Sequence, residues 1–104
     1  MGKKKAPPRL VVGQLVYSRA GRDRGRPFLV WEVLGPDRVC LVDGDLRRVS
    51  KPKLKNVIHV QPVNRVAREL AERLQRGEKV TDAEVRREIA RLLENNRERG
   101  DGNG

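Results

Sequence analysis

Residues 10–34, LVVGQLVYSRAGRDRGRPFLVWEVL, place two apolar runs on either side of one basic loop. The first run, Leu10 to Tyr17, contains Gly13, which predicts a bend or bulge in a strand. The second, Phe28 to Leu34, is β-branched and aromatic, the composition of a strand. Between them stands Gly21-Arg22-Asp23-Arg24-Gly25-Arg26. Two glycines four apart permit a tight turn through φ > 0, and without a Cβ they let a partner approach closely. The arginines supply planar, permanently charged forks that match phosphate geometry, and Arg19 extends the patch upstream. Asp23 is expected to brace the loop by accepting backbone N–H groups. The unit reads as strand, polyanion-holding loop, strand.

More short strands follow. Gly35-Pro36-Asp37 is a turn, Arg38 to Val42 a strand, and Asp43-Gly44-Asp45 a second turn. Leu46 to Val49 reads as a brief strand. Lys51-Pro52-Lys53-Leu54-Lys55-Asn56 reads as a basic loop. Val57 to Gln61 is the last strand, ended by Pro62. Five strands joined by tight turns predict a small closed or nearly closed β-barrel over residues 10–62, because closure removes exposed edges. The two basic loops then face each other across a groove.

Residues 63–96 change period. Val66, Leu70 and Leu74 recur every four residues with Ala67 and Ala71 beside them, which predicts a helix capped by Gly77. Thr81 and Glu84 have capping-box spacing and open a second helix lined by Val85, Ile89, Leu92 and Leu93. This helical hairpin is expected to pack on the barrel, since about 50 residues of barrel make a marginal core. Residues 1–9 read as a disordered basic arm and 97–104 as a disordered tail. The fold class is therefore mainly β with an α-helical tail.

The chain carries 24 Lys+Arg against 14 Asp+Glu, a net charge of +10. The excess is uneven: residues 1–62 hold 14 basic and 5 acidic side chains, whereas residues 63–104 hold 10 and 9. An anionic partner is expected, and the front of the chain is where it binds. The second basic stretch, Arg47, Arg48, Lys51, Lys53 and Lys55, joins Arg19, Gly21, Arg22, Arg24, Gly25 and Arg26 as the expected contact set. Trp31 is expected to pack between barrel and helices. Phe28 is expected in the core, and Tyr17 reads equally as core or as a base-stacking ring.

The single cysteine, Cys40, excludes an internal disulfide and reads as a buried structural thiol. Asp43 and Asp45 form a turn with far too few ligands for a calcium loop. His59 has no second histidine to partner it, and no P-loop, nucleophile elbow or zinc pattern occurs. The expectation is therefore no catalytic residues, no metal and no cofactor. No secretory signal or membrane-length stretch is visible, so a soluble cytoplasmic protein without membrane or small-molecule partners is expected.

Gly13-x-x-Val16, the loop Gly21–Arg26 and the strand from Phe28 together resemble the KOW motif of ribosomal proteins and NusG-type transcription factors. Leu41-Val42-Asp43-Gly44, Arg47-Arg48 and the stretch Asn56-Val57-Ile58-His59-Val60-Gln61-Pro62 are similar to the archaeal and eukaryotic large-subunit ribosomal protein L-fourteen-e. The chain with its helical tail resembles the small KOW-domain relatives of that group in Gram-positive bacteria. Phe28 stands where many KOW motifs carry a further glycine, which favours the ribosomal branch over NusG. The resemblance implies an SH3-like five-stranded barrel and a non-enzymatic protein of the ribosome or associated with it. Its partners would be structured, ribosomal RNA and neighbouring ribosomal proteins. The alternatives are a protein–protein adaptor using the barrel or the helices, and a NusG-like transcription factor.

Overall fold

A computed structural model describes the backbone of residues 9–102 and the side chains of residues 9–94. Five strands are followed by two helices. The strands are β1 (Gln14–Ser18), β2 (Pro27–Val33), β3 (Arg38–Val42), β4 (Lys53–Asn56) and β5 (Val60–Val66), with one 3-10 turn at Val57–His59 between the last two. The helices are α1 (Arg68–Gln75) and α2 (Asp82–Gly102). Every strand pairing is antiparallel and the order is β4-β3-β2-β1-β5. The fold is thus a mixed β+α one, a five-stranded antiparallel sheet with two helices.

The sheet does not close on itself: β4 and β5 remain its two edges. The expected closed barrel is corrected on this point. The Lys55 side chain of β4 reaches the end of β1, where it donates to Ser18 Oγ and Ala20 O. Both edges carry residues that discourage further pairing. β4 reads Lys-Leu-Lys, and Pro62 sits within β5, where an edge strand tolerates its missing N–H.

Four element assignments also change. Leu46–Val49 is not a strand, because the Asp43 carboxylate accepts the backbone N–H groups of Asp45 and Arg47 and holds the chain in a turn. Lys53–Asn56 is strand β4 and not loop, paired with Arg38–Leu41 of β3. The fifth strand starts at Val60 and runs through Pro62 to Val66, so Val66 belongs to the sheet and α1 starts at Arg68. The tail expected to lack structure continues α2 as far as Gly102. Of the basic arm, residues 1–8 lie outside the described residues.

Strand alternation gives the sheet two apolar faces. On one, Val16, Phe28, Val30, Val39, Leu41, Val57 and Val60 form a buried cluster. On the other, Leu15, Leu29 and Val42 meet Ala67 and Leu70 at and in α1 and Val85, Ile89 and Leu92 of α2. The helices therefore bury their stripes against the sheet in cis. Trp31 packs half-buried on this second cluster, and Phe28 is fully buried in the first. α1 ends as its sequence predicts: Gly77 N–H bonds Leu74 O and Glu78 N–H bonds Arg73 O, a Schellman closure. α2 begins on the predicted capping box, with Glu84 N–H donating to Thr81 Oγ1 and Thr81 N–H to Glu84 Oε2. No described helix is long and apolar enough to cross a membrane.

Candidate functional site

The loop between β1 and β2 is a braced structure. Gly21 and Gly25 adopt φ of +84° and +85°, conformations that other residues enter only with strain. Ser18 N–H to Arg26 O and Gly25 N–H to Ser18 O extend the β1–β2 ladder into its base, and Arg26 N–H to Asp23 O closes its tip. From the side, Lys55 Nζ donates to Ser18 Oγ at 2.9 Å, Ala20 O at 3.1 Å and Asp23 Oδ1 at 3.0 Å. All three ammonium protons are thus taken. Ser18 Oγ also donates to Asp23 Oδ1 at 2.8 Å. The Lys55 and Asp23 side chains are only 8% and 10% exposed.

Lys55 therefore acts as a brace, because its ammonium is spent inside the protein. Asp23 braces the loop as expected, chiefly through the Ser18 and Lys55 side chains, with its own backbone N–H a lesser donor. Burial pushes the Asp23 carboxyl up. Hydrogen bonds from Ser18 and Lys55, with the Lys55 charge, outweigh burial and hold it below the usual carboxylate range. Asp23 Oδ2 is buried and has no hydrogen-bond partner among the described residues.

Arg26 is engaged as well, although its side chain stays 37% exposed. Its Nε donates to Asp43 Oδ2 at 2.7 Å and its Nη2 to Asp45 Oδ2 at 3.3 Å. The hydrogen bond to Asp43 raises the Arg26 pKa. Burial pushes the Asp43 carboxyl up, but the Arg26 hydrogen bond and the N–H groups of Arg47 and Asp45 bring it below the usual range. The cation held by the Asp43-Gly44-Asp45 turn is an arginine from the neighbouring loop. Gly44 in turn seats on α2. A Cβ there would collide with the Asp82 carbonyl oxygen, and the Arg86 guanidinium donates to Gly44 O.

An open cleft of about 760 Å³ runs between these two turns. Arg22, Arg24, Arg47 and Lys53 line it, and none of them makes an ion pair with another described residue. Gly21 and Gly25 form part of the same wall. The structure thus brings the first basic loop together with Arg47 and Lys53 across a groove. Arg19, Arg48 and Lys51 are exposed but do not line it. Leu46, which sequence reasoning placed in a strand, does.

The remaining candidates fall elsewhere. Cys40 is half-buried on β3 rather than fully buried, and burial together with Glu32 pushes its thiol pKa up, away from reactivity. His59 is exposed in the 3-10 turn, not alternating within a strand, and its carbonyl accepts Arg19 N–H. Tyr17 is half-buried in β1 opposite Pro27 and Gln61. No group of three or more His, Cys, Asp or Glu that could hold a metal gathers among the described residues.

Compared with known proteins, the chain matches no protein-family model and no curated protein.

Proposed function

We propose that this chain is a non-enzymatic RNA-binding module, ribosomal or ribosome-associated, of the KOW kind that L-fourteen-e represents. Its five-stranded sheet would correspond to an SH3-like barrel left open between β4 and β5. The observation that carries the proposal is the division of labour among the cations. Arg26 and Lys55 are consumed in holding the two turns, whereas Arg22, Arg24, Arg47 and Lys53 stand uncompensated along one cleft. Uncompensated cations on a fixed backbone are what a phosphate chain needs, since little ordering remains for binding to supply.

RNA affinity should fall steeply with salt. Four phosphate contacts on duplex-like RNA give a log–log slope of roughly −3.6. Replacing Arg22 and Arg24 together by Ala should lower affinity and flatten that slope by about 2, with thermal unfolding unchanged. A slope near zero, or the same affinity in the double variant, would remove the cleft as the RNA site. Exposed Leu54 on β4 and exposed Ile58 in the 3-10 turn favour an adaptor as the second reading, since exposed apolar side chains can seat a protein partner. Partners that stay bound after nuclease treatment would favour the adaptor.

A further inference from the structure

We infer that the cleft takes an unpaired nucleotide, with its phosphate on the loop arginines and its base against Leu46. This rests on the RNA-binding proposal and goes further, from RNA in general to a splayed-out base. Leu46 is 61% exposed, yet it lines the cationic cleft together with half-buried Pro27. A single exposed leucine is ordinarily unremarkable on a protein surface. This one differs because its backbone is fixed from both sides. Asp43 Oδ1 accepts the N–H of Asp45 at 3.0 Å and that of Arg47 at 2.7 Å, the two residues that flank Leu46 in sequence. Asp43 is itself held by Arg26, and Gly44 is seated on α2. Leu46 is therefore presented into the cleft on a rigid turn, a pre-organised apolar wall beside free guanidinium groups.

Paired A-form RNA has no use for such a wall. It offers phosphates, 2′-hydroxyls and base edges, while its base faces stay stacked inside the helix. An unpaired nucleotide offers an anion and an apolar face about one nucleotide length apart. That combination matches a cleft whose lining is cationic at Arg22 and Arg24 and apolar at Leu46 and Pro27. The cleft volume, about 760 Å³, is ample for one nucleotide.

The test uses the full chain and two RNA hairpins, one with a fully paired stem and one with the same stem carrying a single bulged 2-aminopurine. Binding is read by anisotropy of an end label and by the fluorescence of the bulged base. The bulged hairpin should bind roughly tenfold more tightly, the gain from covering the exposed part of one leucine. Leu46→Ser should abolish that preference, so that the two hairpins bind the variant equally. Equal affinity of the wild-type chain for the two hairpins would overturn the inference, as would a preference that survives Leu46→Ser. Either result would leave RNA binding itself standing. If neither hairpin binds even at low salt, the RNA-binding proposal fails and the inference falls with it.

Discussion

The Asp23–Lys55 pair offers the most direct test of how the loop is held. Lys55 is 8% exposed and all three of its protons are bonded, one to Asp23, its only anionic partner among the described residues. Asp23→Ala would leave the ammonium buried with two neutral acceptors and no counter-charge. Breaking a buried pair from one side in this way costs about 3–5 kcal/mol. Domains of this size are stable by about 5–15 kcal/mol, so the single change should remove a large share of that margin. Asp23→Ala combined with Lys55→Met removes both charges and should cost much less than the two single changes summed. The expected coupling is about 2 kcal/mol or more. Urea unfolding can be followed through Trp31, the sole tryptophan, which packs on the helix-side cluster. A cost below about 1 kcal/mol for Asp23→Ala, or additive costs in the cycle, would refute the brace. The pH dependence supplies an independent check. The folded Asp23 carboxyl lies below its ordinary value of 3.8. The pair's contribution is therefore complete above that value and is lost as pH falls through the lower folded value. The double variant should lack this acid-side loss.

Two other changes probe the support behind the cleft. Gly44→Ala would drive a methyl group into the Asp82 carbonyl at φ +77°, and should cost about 1–3 kcal/mol in thermal unfolding; an unchanged Tm would mean that the turn is not seated on α2. The Glu84 carboxyl is held down to about 2, first by Arg73 and then by the Thr81 backbone and hydroxyl. Its contribution should be present above its ordinary 4.5 and vanish as pH falls towards 2, and Glu84→Gln should flatten that part of the acid-unfolding curve.

Features set by neighbours in sequence were legible, and features set by distant partners were not. The basic loop, the Gly77 cap and the Thr81–Glu84 capping box each depend on residues a few positions apart, and the structure has them where the pattern placed them. Lys55 looked like one more surface lysine because its partners Asp23, Ala20 and Ser18 lie 32, 35 and 37 residues away. Lysines at 53 and 55 also disguised a strand, since a basic alternation reads as loop until one sees that β4 is an edge. Leu46–Val49 failed for a local reason that was available in principle. An Asp that opens an Asp-Gly turn can capture the next N–H groups and delay the strand, and Asp43 does so. The missing barrel closure had no sequence signal at all. It depends on whether two edge strands, β4 and β5, pair with each other, which neither strand's own residues specify.

The helical extension contributes no residue to the cleft lining, yet it belongs to the cleft energetically. A continuous set of contacts runs from the basic loop through Arg26 to Asp43, and through Gly44 to Arg86 on α2. In parallel, Val49 N–H donates to the Asp82 carboxylate at the start of the same helix. The turn that carries Leu46 and Arg47 is therefore tied to the loop on one side and to α2 on the other. A sheet of five short strands with open edges has little means of its own to fix two opposing turns. Packing α2 against Leu15, Leu29 and Val42 anchors the helix, and the anchored helix fixes the turn. A total charge count treats all the basic residues of the front half as equivalent binders. The structure separates them: Arg26 and Lys55 are bonded within the turns, Arg22, Arg24, Arg47 and Lys53 line the cleft without ion pairs to other described residues, and Arg19, Arg48 and Lys51 lie outside the lining.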